Sequence, residues 1–379
     1  MRRSSDRILV SHAGTLPRPE RLAALLHDGR MPEFEAALPA AVAEVVRRQA
    51  DMGIDIVNDG ELSKTRGFSG YVTDRLSGLT EPAGDRPRKN VAARDTRDFP
   101  GFAAMRGLQF AAGRRGQNPP MICSGPIAYI GAEKIAADIA RLKAAVTGLD
   151  VEAYMPAIAP GTVDHWLINE HYPDEESFLF AIADALHQEY KAITDAGLIL
   201  QIDDPDLPDG WQIFPDMSLA DYRKYADLRV AALNRALKGL PREQVRLHIC
   251  WGSNHGPHKN DIPLEDIVDL VLAVPAGCYS VEAANPRHDH DWRVWQTTKL
   301  PDGATIMPGV VGHCTDIIEH PRLVADRLVK YANLVGRENV IAGTDCGIGS
   351  RVSHPEVAWA KLDAMVEGAR LATKELWGR

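Results

Sequence analysis

The chain has 379 residues, 45% of them hydrophobic and 25% charged, with a formal net charge of −9. That length permits one large α/β barrel or two ordinary domains, with enough apolar residues for a sizeable core. The acidic balance argues against nucleic acid, which wants a basic face, and no apolar run approaches the ~18 residues of a membrane span. The N-terminus carries Arg2 and Arg3 but no apolar stretch behind them, so it does not read as a secretory signal. Five cysteines, at 123, 250, 278, 314 and 346, are odd in number and irregular in spacing. They make no disulfide framework and fit a reducing cytoplasm, with thiols free to bind metal.

Short apolar runs alternate with amphipathic stretches through nearly the whole chain. In chain order, strands are expected at 7–12, 54–58, 120–124, 151–157, 198–203, 245–250, 278–282, 305–311 and 339–344. Helices are expected over 36–52, 133–147, 176–196, 219–238, 263–273 and 320–336, with a last one from about 355 to 376. Strand then helix, repeated, implies a parallel sheet covered on the outside. Nine runs for eight places predict an α/β protein of the (β/α)8 TIM-barrel type, a single domain with one run as an extension or rim strand. A doubly wound open sheet is the alternative, but no GxGxxG follows the first strand. Residues 62–118, rich in Gly, Arg, Asp and Pro, break the rhythm and are expected to be an insertion or lid within the barrel.

Three distant runs end on soft metal ligands: His248-Ile249-Cys250, Glu282 and Cys346. In His-x-Cys both side chains fall on one face of a strand, and thiolate, imidazole and carboxylate together suit zinc. Cysteines so far apart are more often unrelated core residues. Here, however, His248, Cys250, Glu282, Cys346 and Asp203 all fall at or just past strand C-terminal ends, where a barrel of this type places its active site. Other polar clusters share that end. The loop "SHAGTLPRP" (11–19) brings Gly14 and Thr15, able to offer N–H groups to an anion. Asp59 and Glu61 follow the second run, and Asp203 and Asp204 a later one. Arg287, His288, His290 and Arg293 lie in or near "ANPRHDHDW", and His313 in "GVVGHCTD". With four ligands available elsewhere, His288 and His290 are expected to support the site or bind substrate rather than metal.

These pieces resemble the cobalamin-independent methionine synthase superfamily, specifically its catalytic C-terminal barrel. The resemblance rests on "SHAGTLPRP", "GIDIVNDGE", "SGPI", "QIDDP", "HIC", "SVE" and "TDCG", which occur in the family's order. Within the superfamily, "RLHICWGSNHGPHKNDIP", "PRHDHDWRVW", "LPDGATIMPGVVGH" and "ENVIAGTDCGIG" look closest to epoxyalkane:coenzyme M transferase (2-hydroxypropyl-coenzyme M lyase). The resemblance implies Zn2+ held by His248, Cys250 and Cys346, with Glu282 as an exchangeable fourth ligand. It implies that Asp203 contacts the thiol substrate and that Ala13, Gly14 and Thr15 form its binding loop. One departure is Ala132, which stands where the synthases place a tryptophan against the pterin.

The function expected from the sequence is a cytoplasmic zinc-dependent thiol alkyltransferase, in which a coenzyme M-like thiolate attacks an epoxide. In that reading His313 is the general acid and Arg287 or Arg293 anchors the sulfonate. The first alternative is methyl transfer to homocysteine, with Asp203 holding the amino group. The second is a non-catalytic zinc-stabilised binding protein. Either enzyme reading takes a small-molecule thiol and an electrophilic or methyl-donor substrate, and association into a homo-oligomer is compatible with both.

Overall fold

Eight of the nine apolar runs become strands of one sheet in the computed structural model, which describes residues 1–82, 93–105, 121–253, 255–349 and 351–378. In chain order the strands are β1 (Leu9–Val10), β2 (Ile56–Val57), β3 (Leu79–Thr80), β4 (Met121–Cys123), β5 (Glu152–Ile158) and β6 (Leu167–Asn169). They continue with β7 (Ile199–Asp203), β8 (Val245–Ile249), β9 (Cys278–Val281), β10 (Thr305–Val311) and β11 (Ile341–Thr344). The large sheet runs β1-β11-β10-β9-β8-β7-β5-β2, every neighbouring pair parallel. Its two edges meet. The Asp55 N–H donates to the Val10 carbonyl at 2.9 Å, and the Asp55 carboxylate accepts from the Val10 N–H at 2.8 Å. The result is a near-closed TIM-like barrel. The ninth run is β4, which pairs with β3 and β6 in a separate three-stranded sheet.

The two-residue period of the strands stacks the barrel interior in layers. Leu9, Ile56, Tyr154, Ile199, Cys278, Met307 and Ile341, from seven strands, form an apolar floor separate from the main core. Two residues further on, the same faces carry Ser11, Gln201 and Ser280. Arg246 crosses this layer, donating from Nε to Gln201 Oε1 at 2.7 Å and from Nη1 to Ser11 Oγ at 2.9 Å. Two residues further still stand Asp203, His248 and Glu282, at the C-terminal rim. Apolar floor, polar middle and reactive rim are one alternation read three times.

Helices Glu20–His27, Met31–Met52, Ala132–Val146, Glu175–Asp195, Leu219–Ala236, Pro321–Val335 and Pro355–Trp377 cover the outside. The helix expected over 263–273 is reduced to a 3-10 turn, Leu264–Asp266, and a short helix, Val268–Leu272. Pro263 and Pro275 bracket it, and Ile267, Val268 and Val271 crowd its backbone, so it cannot extend. The described part of the 62–118 stretch is built onto the barrel. Arg75 pairs with Asp138 at 2.6 Å and Glu189 at 3.0 Å, and Arg94 Nε donates to the Trp211 carbonyl at 2.7 Å. Of the stretch expected to be an insertion or lid, residues 83–92 and 106–118 lie outside the described residues. Among the described residues no helix is long and apolar enough to cross a membrane.

Candidate metal and thiol site

His248 is the penultimate residue of β8, Cys250 follows that strand, and Cys346 stands two residues past β11. Ligand atoms of the three lie within 4.8 Å of one another, with the two sulfurs 3.9 Å apart. His248 Nδ1 is 2.9 Å from Ser280 Oγ, which leaves Nε2 buried without a satisfied hydrogen bond. A ring fixed through one nitrogen, with the other orphaned beside two sulfurs, is the donor set of a soft divalent metal such as zinc. The hydrogen bond from Cys250 holds the Cys346 thiol well below its ordinary range, against burial and with help from His248 and His313. The same bond pushes the Cys250 thiol up.

Glu282 follows β9 directly. Its Oε2 accepts from the Trp251 N–H at 2.8 Å and its Oε1 from the Asn285 amide at 2.9 Å. Its carboxylate groups with His313 and Asp345, ligand atoms within 4.8 Å, rather than with the compact trio. His313 Nε2 is likewise buried without a hydrogen-bond partner among the described residues.

Asp345 was not singled out from the sequence. Its Oδ1 accepts from the N–H groups of Ala283 and Ala284 at 2.7 and 2.8 Å, and its Oδ2 from Asn285 at 2.8 Å. One carboxylate thus ties the segment after Glu282 to the residue before Cys346. Gly309 makes room for it, since a Cβ there would overlap Asp345 Oδ1. The "TDCG" motif showed an acid beside a ligand, but what that acid grips depends on how β9 and β11 are placed.

On the neighbouring strand β7, in register with His248, Asp203 Oδ1 accepts from Gln201 Nε2 at 2.7 Å. Burial pushes this carboxyl up to about 7, with His248 and Lys64 pulling the other way. The same Gln201 Nε2 donates to the Ala13 carbonyl at 2.9 Å, so Asp203 and the loop after β1 share one amide. Ala13 N–H donates to Thr344 Oγ1 at 3.0 Å, and Thr15 Oγ1 donates to Glu61 Oε1 at 2.9 Å. Gly14, at φ 141°, must lack a side chain because a Cβ would stand 2.6 Å from Glu61 Oε1. Glu61 is itself buried at φ 56°, and its Oε2 pairs with Lys64 Nζ at 2.8 Å. A strained, buried acid held this firmly marks a site under constraint. Ala13, Gly14, Thr15 and Asp203 therefore come together, with Glu61 and Lys64 as neighbours.

Other candidates lie apart from this cradle. Arg287 is exposed and donates to the Lys259 carbonyl, and Arg293 is exposed over the Trp292 ring at 5.0 Å. His290 is exposed. His288 is buried and stacks on Trp251 at 3.9 Å, with Nδ1 2.9 Å from Asp291 and Nε2 3.0 Å from Asp261. Both of its nitrogens are engaged, so it braces the loop behind Cys250 rather than offering a metal donor. Ala132 opens the helix Ala132–Val146 and is exposed.

Fold and site together define a parallel α/β barrel carrying a sulfur and imidazole donor set at its C-terminal rim. The chain belongs to the family described as cobalamin-independent synthase, catalytic domain, whose model matches residues 111–371. It is similar to a methionine synthase of Thermococcus kodakarensis, 25% identical over 373 residues that span 97% of this chain and 94% of the relative. A methionine synthase of Pyrococcus furiosus is also 25% identical, across 97% of this chain and 93% of its own. Among solved structures it resembles the B12-independent methionine synthase from Shewanella sp. W3-18-1 in complex with selenomethionine. That match has a TM-score of 0.72 at 21% identity, covering 98% of this chain and all of the other, and it shows the fold.

Proposed function

We propose that this protein is a zinc-dependent methyltransferase that methylates the sulfur of homocysteine without cobalamin. The observation that carries the reading is the His248–Cys250–Cys346 trio, with its orphaned Nε2, facing a cradle that ends in a buried carboxylate, Asp203. Family membership and full-length similarity to methionine synthases support it over epoxide opening by coenzyme M. The similarity spans 94% and 93% of those two synthases' own length.

In this reading His248, Cys250 and Cys346 would hold zinc, and Glu282 would be the exchangeable fourth donor on leaving its bonds to Trp251 and Asn285. Zinc, when bound, keeps an incoming thiol as thiolate near neutral pH. Asp203 receives the substrate's ammonium, and the loop Ala13–Thr15 orients the rest of the molecule. His313, whose Nε2 has no hydrogen-bond partner among the described residues, gives a proton to the donor as the methyl leaves and regains one from solvent, which takes the thiol's proton on binding. Arg287 and Arg293 have no assigned part in methyl transfer, because no sulfonate needs anchoring.

The test is calorimetric titration of the zinc-loaded protein with L-homocysteine and, separately, with coenzyme M, followed by an assay for methionine from a methyl-pterin donor. The expected result is homocysteine binding with proton release, and weak coenzyme M binding. Coenzyme M binding with proton release, in the absence of homocysteine binding, would return the epoxide reading. Ala132 in place of the synthase tryptophan gives that outcome its interest, since it leaves no aromatic face at that place for a pterin.

A further inference from the structure

Arg246 is fully buried inside the barrel, and none of its hydrogen-bond partners among the described residues is a carboxylate. It donates to Gln201 Oε1 (2.7 Å), Ser11 Oγ (2.9 Å) and the His12 carbonyl (3.2 Å), and its guanidinium lies 3.9 Å over the Tyr154 ring. Burying a charge without a counter-charge is costly, so the arrangement calls for a function. A guanidinium has donors only, which forces the oxygen of the Gln201 amide toward it. The amide nitrogen must then face the other way, toward Asp203 Oδ1 at 2.7 Å and the Ala13 carbonyl at 2.9 Å.

We infer that Arg246 and Gln201 are positioning residues that make the cradle selective for a thiol carrying an ammonium group. The inference rests on the homocysteine reading above and deepens it. Arg246 fixes which way the Gln201 amide points, and the amide fixes Asp203 Oδ1 as an acceptor. Among the described residues no donor is bonded to Oδ2, so the remaining oxygen presents itself to the ligand. A ligand that brings a cationic donor completes the site. One that brings nothing leaves a buried acceptor unmet, and one that brings an anion meets repulsion. A site built to bond a polar group rejects the analogue lacking it far more strongly than an apolar pocket rejects a missing methylene.

The experiment needs no methyl donor. Zinc-loaded protein is titrated calorimetrically with L-homocysteine and with 4-sulfanylbutanoate, its deaminated analogue, and the ratio of the two Kd values is the readout. The unmodified chain is expected to favour homocysteine by about a hundredfold or more. Gln201→Met keeps the shape but removes the amide, and the ratio should fall at least about tenfold, with the zinc content of the protein unchanged. Gln201→Glu keeps a partner for Arg246, so the barrel interior stays satisfied, but turns an acceptor toward Asp203; its ratio should fall as well. If both variants fold, hold zinc and keep the original ratio, the relay from Arg246 does not set selectivity and the inference is wrong. A ratio near one in the unmodified chain overturns the homocysteine reading itself, and this inference with it.

Discussion

At His288 an imidazole is clamped between two carboxylates under the ring of Trp251, the residue after the candidate ligand Cys250. Burial opposes the imidazolium, but hydrogen bonds to Asp261 and Asp291 outweigh it and push the pKa up to about 9 from 6.5. Because the folded value lies above the unfolded one, the stabilisation is complete below about pH 6.5 and is lost as pH rises through 9. Its size is about 3 kcal/mol at most. His288→Gln should therefore lower Tm most near pH 6, and the gap to the parent should narrow toward pH 10. A gap that stays constant with pH would show that the ring's charge contributes nothing. At this scale the sequence was informative where a residue's chemistry is intrinsic. His248, Cys250 and Cys346 are candidate metal donors by their own chemistry, and they do converge. Asp345, Ser280 and Gln201 were not legible, because an aspartate, a serine and a glutamine acquire roles only through the partners that the barrel brings to them.

At the scale of elements, the described excursion beyond β2 is tied to the barrel's outer helices through Arg75. This side chain is buried with Glu189, Asp138 and the rings of Tyr71 and Tyr129, which both donate to Glu189. Removing one partner of a buried ion pair leaves an uncompensated charge, which costs more than the pair contributes. Arg75→Met should lower stability by about 3–5 kcal/mol in urea unfolding, and adding Glu189→Gln should recover part of it. A loss below about 1 kcal/mol would mean that the tie relaxes into water instead. Nothing in the local sequence pointed to this cluster, since Arg75, Asp138 and Glu189 lie in three different elements. The strands were legible because buried parallel strands read as continuous apolar runs. β4 reads the same way, which is why nine runs competed for eight places. The element that did not form as expected, 263–273, failed for local reasons that were present in the sequence: two prolines and a cluster of β-branched residues.

At the scale of the whole molecule, the stability of the barrel and the chemistry of the rim are carried by different residues. The apolar floor, the main core between strands and helices, and the closure through Asp55 and Val10 contain none of the candidate ligands. In small zinc domains the metal supplies the folding energy, because there is little else to supply it. Here eight parallel strands and their covering helices do so, and the candidate ligands stand at strand ends where pairing is already complete. Two consequences can be separated in one variant. Cys346→Ser removes a sulfur from the trio, so bound zinc, measured by metal analysis after dialysis, should fall from one equivalent per chain to a small fraction. Far-UV circular dichroism should stay unchanged, with Tm lowered by no more than a few degrees, since the substitution touches no core contact. Retention of a full equivalent of zinc would remove Cys346 from the ligand set. Loss of the native spectrum together with the metal would show that the ion holds the fold, and would favour a structural centre over a catalytic one.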